Sequence, residues 1–372
     1  MKRLAALTAA FAAAAAIIPF ASPAEKAAAD TDSIKIMCIG DSITDGYVPE
    51  YTGSYRKFIY HGLTEKGYSI DMVGAKDGGY TPSYTDPATG ESFQFDNENT
   101  GYSGYAIKAY PGRSGILETL KQTDCLRSSQ PDIVTLQIGT NNIIDNHDMG
   151  ENKKDLEELI VYILDNIPDD SVLFVSTIPA ADPNREGVRD WFMNYRHSAD
   201  WQTQYNDSEV ELSVHKAVSD YNVCIEDLWF SMKDEHKNFF VSYAGNRITD
   251  ENKAELLFDG VHPNNDGYRE IGSFWTDVIN EYLSGGPGNV TTTAATSTTA
   301  TTTTTTAVPG PVSFTVSDLV RFSRYLLGDK SAADDFHEQV KTYDIDSDGV
   351  LDTFDLVLMR KLLIEKAGAL GG

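Results

Sequence analysis

The sequence has little of what several classes of protein require. Its 372 residues include three cysteines, Cys38, Cys125 and Cys224, which are too few and too odd in number for a disulfide framework. Lysine and arginine total 30 against 56 acidic residues, and the net charge of −26 argues against binding to the phosphates of nucleic acid. The chain also lacks a His-Glu-x-x-His zinc pattern and a glycine-rich phosphate loop. Its stability must therefore come from an ordinary apolar core.

The first 29 residues have the composition of a secretory signal peptide. Lys2 and Arg3 form a basic start, residues 4–20 are apolar and rich in alanine, and small residues follow. The alternative is a short buried helix, which leaves the basic start and the small-residue exit unexplained. No later stretch is long and apolar enough to span a bilayer. We therefore expect a secreted, extracellular protein without a membrane partner.

A break in composition divides the rest of the chain. Residues 285–311 hold a threonine tract flanked by glycine and proline, with almost no large apolar side chain that could build a core. This segment is predicted to be a linker. It separates a large domain at residues 32–284 from a small module at residues 312–366.

The large domain alternates short apolar runs with helical patterns, which is typical of an α/β fold with a parallel sheet in three layers. Strands are predicted at Ile34–Ile39, Ile70–Val73, Ile133–Gln137, Val172–Ser176 and Val223–Ile225. Helices are predicted at Ser54–Glu65, Ile116–Arg127, Lys154–Ile167 and Val210–Ser219, and a last helix follows Pro263. Functional sites of such sheets lie at the carboxyl ends of the strands.

A serine lies at the end of the first predicted strand, within Gly40-Asp41-Ser42. A hydroxyl at this place is exposed, and nearby backbone N–H groups can face developing negative charge. Far downstream, Asp259 precedes His262 by three residues, which supplies an orienting carboxylate and a base. Both motifs have plainer interpretations, since Asp41 and Ser42 also suit a helix cap and the Asp-His pair a hydrogen-bonded loop. Together they predict a serine esterase.

These residues resemble the sequence blocks of the SGNH, or GDSL-type, hydrolases. The blocks are Gly40-Asp41-Ser42, Gly101-Tyr102-Ser103-Gly104, Gly139-Thr140-Asn141-Asn142 and Asp259-Gly260-Val261-His262. The resemblance implies a flavodoxin-like fold and ester hydrolysis through an acyl-serine, with Ser42, Asp259 and His262 as catalytic residues. It also implies an oxyanion site made by the N–H groups of Ser42 and Gly104 and by the Asn141 amide, without a catalytic cofactor. The family usually has aspartate where this chain has Asn142.

Finer features resemble the acetylxylan esterases of carbohydrate esterase family three. They are Gly53-Ser54-Tyr55-Arg56, Asp71-Met72-Val73-Gly74 and the stretch from Asp259 to Tyr268. This resemblance implies removal of acetyl groups from the xylan of plant cell walls. A lipid or thioester hydrolase on the same fold and a catalytically silent carbohydrate-binding scaffold protein are the alternatives.

Two features of the large domain have two interpretations each. Arg56 fits a family feature and equally a solvated helix face. The loop at residues 180–205 contains aromatic residues that fit either a sugar-stacking wall or core packing, namely Trp191, Tyr195 and Trp201.

The small module contains a calcium-loop pattern. Side-chain ligands at loop positions one, three, five, nine and twelve, with a backbone carbonyl at position seven, are predicted from Asp344, Asp346, Asp348, Asp352, Asp355 and Val350. The stretch that follows is repeated, since residues 314–327 match residues 351–364 and place Phe322 opposite Met359 as packing residues. A duplicated loop–helix unit resembles a type I dockerin, which implies a cohesin partner and a place in a cellulosome.

The first copy of this repeat departs from the calcium pattern. Its first three ligand positions fall on Ala307, Pro309 and Pro311, none of which carries a carboxylate. We therefore predict one Ca²⁺ per chain, bound in the second loop.

Overall fold

The computed structural model of the chain describes residues 33–285 apart from 47–52, 77–81, 88, 186 and 196–199, together with Asp318, Phe322, Tyr343 and Met359. The chain divides into two units, Met1–Ala295 and Thr296–Gly372. Within the described residues, no helix has both the length and the apolar content needed to cross a membrane. The predicted signal peptide, the predicted linker beyond residue 285 and all the predicted calcium ligands lie outside the described residues.

A mainly parallel sheet forms the centre of the first unit. The strands of the described residues are, in chain order, β1 (Ile34–Gly40), β2 (Ile70–Val73), β3 (Ser83–Thr85), β4 (Ser92–Gln94), β5 (Thr100–Gly101), β6 (Ile133–Gln137), β7 (Val172–Ser176) and β8 (Phe239–Ser242). Strands β2, β1, β6, β7 and β8 lie side by side in that order and run parallel, and β5 pairs with the end of β1. Strands β3 and β4 form a separate antiparallel hairpin.

The helices follow the strands along the chain. They are α1 (Ser42–Asp45), α2 (Arg56–Glu65), α3 (Ile116–Thr123), α4 (Cys125–Ser129), α5 (Thr140–Ile144), α6 (Met149–Leu164), α7 (Val188–Met193), α8 (Trp201–Gln204), α9 (Asp207–Met232), α10 (Lys253–Leu256) and α11 (Asn265–Leu283), with a 3₁₀ turn at Ala244–Arg247. Helices α2 and α11 contact each other, and α6 contacts both α3 and α9.

Both faces of the sheet are covered, because β6 and β7 are buried at every position. Successive side chains of a strand point to opposite faces. Ile36 and Phe174 belong to the core that includes α2 and α11, and their neighbours Met37 and Leu173, on the opposite face, are also fully buried. This burial, together with the strand order, confirms the predicted three-layer α/β fold of flavodoxin-like type.

One predicted strand is wrong. Val223–Ile225 lies inside α9, and the last strand of the sheet is β8, which the sequence prediction missed. The prediction fails because it rests on a short run that contains two β-branched residues and ignores the helical spacing of the residues on either side. Along α9 the buried residues Val210, Val214, Val218, Tyr221 and Ile225 recur every three or four positions, which is the spacing of one helix face.

In the second unit, the two equivalent repeat positions Phe322 and Met359 are both fully buried, as the repeat predicts. The Tyr343 ring lies 5.8 Å from that of Phe322, and its hydroxyl donates a hydrogen bond to Asp318 Oδ1 at 3.3 Å. These contacts place Phe322 beside Tyr343.

Candidate active site

The turn after β1 holds Ser42 at the carboxyl edge of the sheet. Asp41 is the N-cap of α1, and its Oδ1 accepts a hydrogen bond from the Ile43 N–H at 3.0 Å. Ser42 is therefore the first residue of a short helix and is 6% exposed. The capping role and the nucleophile position that the sequence suggested for this turn occur together.

His262 reaches Ser42 from the segment before α11. Its Nε2 lies 2.7 Å from the Ser42 Oγ, and its Nδ1 lies 2.8 Å from Asp259 Oδ2. Asp259 Oδ1 also accepts hydrogen bonds from the backbone N–H groups of Val261 and His262, at 3.0 and 2.8 Å. The structure thus brings the three predicted catalytic residues into one line of hydrogen bonds.

The sharp turn between Asp259 and His262 depends on Gly260. This residue has φ of +93°, which L side chains rarely adopt, and an added Cβ would lie 2.7 Å from the Asp182 carbonyl oxygen. The Gly260 carbonyl in turn accepts a hydrogen bond from the Asp182 N–H at 2.8 Å. This close backbone approach fixes the loop that carries Asp259 and His262.

The pKa values of two carboxyl groups near Ser42 are shifted in opposite directions. Burial raises the pKa of Asp259, but its hydrogen bonds and the charge of His262 outweigh burial, so that the pKa lies below its usual value. Burial raises the pKa of Asp41 from 3.8 to about 6, although the Ile43 N–H and the charge of His262 act against this shift. Asp259 is thus ionised at neutral pH and suited to orienting an imidazole.

The three candidate oxyanion donors are the N–H groups of Ser42 and Gly104 and the side-chain amide of Asn141. Gly104 has φ of +80°, and Asn141 stands at the second position of α5, where its amide donates to the Tyr105 carbonyl at 2.9 Å. Among the described residues, the N–H groups of Ser42 and Gly104 donate to no protein acceptor. With His262, these residues line a cavity of about 420 Å³. The arrangement can bind an ester and hold a negative charge on its carbonyl oxygen.

A family model described as GDSL-like lipase/acylhydrolase matches residues 36–275, which include every residue of this site. The chain belongs to the GDSL-like lipase/acylhydrolase family. The matched domain is that of an ester hydrolase. The predicted resemblance to SGNH hydrolases is confirmed.

The comparison with known proteins also gives individual relatives. The chain is 32% identical over 344 residues to a multidomain esterase of Ruminococcus flavefaciens, covering 90% of this chain and 40% of that one. It therefore spans about 40% of the length of this relative. The fold is similar to a family 3 carbohydrate esterase of Clostridium thermocellum, with a TM-score of 0.47, 24% identity and coverage of 68% and 98%. A family 3 carbohydrate esterase from Talaromyces cellulolyticus gives a TM-score of 0.42, 18% identity and coverage of 68% and 99%.

The departure from the family at Asn142 has a local structural reason. Its side chain is fully buried, donates to Asn152 Oδ1 at 2.8 Å and accepts a hydrogen bond from the Ile107 N–H at 3.1 Å. Asn152 Oδ1 also lies 2.8 Å from His147 Nδ1. An aspartate cannot donate to Asn152, so the asparagine suits this neighbour.

The side chains of Ser54, Tyr55 and Arg56 hold the helix that carries Ser42. The Ser54 hydroxyl and Arg56 Nε both donate to the Thr44 carbonyl, at 2.9 and 2.8 Å, and the Tyr55 hydroxyl lies 2.8 Å from Thr44 Oγ1. Arg56 is 1% exposed, so the interpretation that it lies on a solvated helix face is wrong. Carbonyl groups at the end of a helix attract a cation, which explains an arginine here.

The aromatic residues of the loop at 180–205 divide between the two predicted roles. Trp191 and Tyr195 line the cavity and are 41% and 61% exposed. Trp201 is buried against Met193 and Val210 and donates its Nε1–H to Asn194 Oδ1 at 2.9 Å. The wall interpretation thus fits the first two residues, and core packing fits the third.

Sequence reasoning missed the ion pair of Arg113 and Asp145, which also lines the cavity. The two residues are far apart in the sequence, and no pattern joins them. In the described part of the chain, the side chains placed to share a metal ion are His61, Glu65 and Glu91. None of these three lines the cavity.

Proposed function

We propose that this esterase removes acetyl groups from plant cell-wall polysaccharide, xylan in particular, through an acyl-serine intermediate. The observation that carries the proposal is the line of hydrogen bonds from Ser42 through His262 to Asp259, at 2.7 and 2.8 Å. Ser42 and His262 line a cavity together with Gly104 and Asn141, which carry the other two candidate oxyanion donors. A nucleophile, a base and an orienting carboxylate in this geometry are what acyl transfer requires.

In the first half of the reaction, Ser42 Oγ attacks the ester carbonyl carbon while His262 Nε2 takes the hydroxyl proton. The Nδ1–H of His262 donates to Asp259, which holds the imidazole in place and stabilises its positive charge. The oxyanion faces the N–H groups of Ser42 and Gly104 and the Asn141 amide. Each such donor contributes about 3 kcal/mol in the transition state. As the bond between the acyl carbon and the sugar oxygen breaks, His262 delivers the proton to that oxygen, which leaves as a sugar hydroxyl.

The second half of the reaction repeats these roles with water. His262 removes a proton from a water molecule, which attacks the acetyl carbon on Ser42. The same donors hold the second oxyanion, and the proton returns to Ser42 Oγ as acetate leaves. The serine is restored and no redox step or cofactor is involved.

The surroundings of the cavity support a carbohydrate alcohol. Trp191 and Tyr195 present exposed rings beside Ser42 and His262. Exposed aromatic faces that stay in contact with water suit the apolar faces of sugar rings. Scattered exposed apolar residues are normal, but two aromatic side chains at one cavity favour a binding role.

The same cavity disfavours a lipid substrate. Its wall includes the ion pair of Arg113 and Asp145 and the polar residue Ser103. A long acyl chain needs a continuous apolar channel, because polar groups lose water when it covers them. An acetyl group places one methyl group against this wall.

The setting of the enzyme is proposed from its sequence. The signal-peptide pattern at residues 1–29 supports secretion, and the repeated loop–helix pattern supports a dockerin that binds a cohesin. Ca²⁺ would be held by the carboxylates of the second loop and by one backbone carbonyl, the residues being Asp344, Asp346, Asp348, Val350, Asp352 and Asp355. Attachment to a cellulosome would keep the esterase beside insoluble polysaccharide.

A substrate panel tests the proposed function. Acetylated xylan, a short-chain aryl ester and a long-chain aryl ester are each assayed with the wild type and with Ser42→Ala. We expect release of acetate from xylan, activity on the short ester and little on the long one, with Ser42→Ala at least about 1,000-fold slower in turnover. Preference for the long ester would favour the lipid alternative. More than a tenth of wild-type turnover in a folded Ser42→Ala would remove Ser42 from the mechanism.

A further inference from the structure

Arg113 connects the two segments that hold Gly104 and Asn141, which carry two of the three candidate oxyanion donors. Its Nη1 donates to the Gly104 carbonyl at 3.2 Å. Its Nε and Nη2 donate to the two oxygens of Asp145, at 2.6 and 2.8 Å. The planar guanidinium thus uses one edge for a carboxylate and another donor for the backbone of Gly104.

Asp145 is itself attached to the other donor. It follows α5 directly, and its N–H donates to the Asn141 carbonyl at 3.0 Å. The Asn141 amide donates to the Tyr105 carbonyl at 2.9 Å, one residue after Gly104. These contacts close a ring through Gly104, Tyr105, Asn141, Asp145 and Arg113.

The ion pair is held more firmly than a surface pair. Arg113 and Asp145 side chains are 25% and 15% exposed, so water screens them only partly. The Tyr110 hydroxyl donates to Asp145 Oδ2 at 3.0 Å, and the Tyr110 ring stacks on His147. The carboxylate therefore has several partners that fix its direction.

Gly104 needs such a support. A glycine has no side chain to anchor its backbone and populates many conformations, and Gly104 here has φ of +80°. The direction of its N–H depends on the rotation of its two peptide groups. An oxyanion donor is effective only when it stays about 2.7–3.1 Å from the place where the charge develops.

We propose that Arg113 is a positioning residue for the oxyanion site, held by Asp145 and acting through the backbone of Gly104 and the placement of Asn141. This inference rests on the proposed roles of Gly104 and Asn141 in ester hydrolysis. Three of the five N–H groups of Arg113 donate to Gly104 and Asp145, so Arg113 acts on the transition state through these two residues.

The test is steady-state kinetics of Arg113→Ala and Asp145→Asn in the full chain, with a short-chain aryl acetate. Removing an oxyanion donor costs about 100- to 1,000-fold in turnover, so disturbing the position of one should cost about 10- to 100-fold. We expect this loss in kcat with KM changed less than about threefold. Inhibition by an alkylboronic acid, which forms a tetrahedral adduct on the serine, should weaken by a similar factor.

Arg113→Lys separates position from charge. Lysine keeps the positive charge but lacks the planar fork that bonds Asp145 and Gly104 together. We expect Arg113→Lys to remain at least about fivefold below the wild type in kcat. Full recovery of kcat with lysine would show that charge alone suffices and would overturn the positioning role.

Matched controls come from the exposed pair of Arg247 and Glu270, which are 2.9 Å apart and outside the cavity. Arg247→Ala and Glu270→Gln should leave kcat unchanged. A raised KM with unchanged kcat in Arg113→Ala would assign Arg113 to substrate binding, and a lower melting temperature with unchanged kcat would assign it to the fold. Either result overturns the proposal. An active Ser42→Ala would instead refute the proposed function itself.

Discussion

Replacing Asp41 by asparagine should raise the free energy of unfolding relative to the wild type, and this gain should be larger at neutral pH than at acidic pH. Asp41 is 1% exposed, so its carboxyl group has almost no contact with water. Burial raises its pKa from 3.8 to about 6. Asparagine keeps the acceptor for the Ile43 N–H but cannot ionise, so it removes the cost of a buried charge.

The sign and size of the effect follow from proton linkage. Between pH 3.8 and about 6 the folded wild type binds the Asp41 proton more tightly than the unfolded chain, so the free energy of unfolding falls as pH rises. The loss levels off above pH 6. At 1.36 kcal/mol per pH unit, raising the pKa from 3.8 to about 6 corresponds to about 3 kcal/mol in total. Roughly half of this, about 1 to 2 kcal/mol, falls between pH 5 and pH 7.5.

The assay is guanidinium unfolding of the full chain, followed by tryptophan fluorescence at pH 5, 6 and 7.5. All four tryptophans lie in the first unit, so the signal reports the unit that contains Asp41. Starting at pH 5 keeps the chain away from its isoelectric point near 4.5. Taking the difference between pH values cancels any constant cost of burying the new amide.

Asp234→Asn serves as the matched control, because this carboxylate is 87% exposed. Its stability relative to the wild type should not change with pH. The reasoning is refuted if the free-energy difference between Asp41→Asn and the wild type is the same at pH 5 and pH 7.5.

Three further outcomes are expected. Asn141→Ala should lower kcat on a short-chain aryl acetate by about 100-fold with little change in KM, because its amide acts on developing charge; a change in KM alone would contradict this. Arg56→Ala should lower the free energy of unfolding by at least about 3 kcal/mol, measured by tryptophan fluorescence, since it strips donors from buried carbonyls; a loss below 1 kcal/mol would contradict it. Calorimetric titration of the full chain should show one Ca²⁺, lost in an Asp344→Ala, Asp346→Ala double variant while esterase activity persists; two tight sites would mean that the first loop also binds.

Much of the fold could be predicted because its signals are local. Strands β1, β2, β6 and β7 are short apolar runs bounded by polar turns, and their predicted limits differ from the structure by one residue at most. Strand β8, at Phe239–Ser242, was missed because the last strand was assigned to Val223–Ile225, which lies inside α9. Its pairing with β7 comes from a contact between segments more than 60 residues apart. Local patterns carry no information on such a partner.

The sequence alone was enough to predict those candidate site residues that belong to short motifs. Ser42, Asn141 and the Asp259–His262 pair each follow a strand or precede a helix, so their place at the carboxyl edge of a parallel sheet follows from chain order. The sequence also showed that Asn142 departs from the aspartate usual in the family. It did not show the reason, which is the hydrogen bond that the Asn142 amide donates to Asn152.

The polar side chains that support these motifs could be identified only in the folded structure. Arg56 is indistinguishable in sequence from a solvated helix residue, but folding buries it against the Thr44 carbonyl. Arg113 and Asp145 meet because β5 and β6 deliver their loops to the same edge of the sheet, on either side of β1. Hydrogen bonds act over about 3 Å, and the distance between two loops is set by the whole sheet rather than by spacing along the chain.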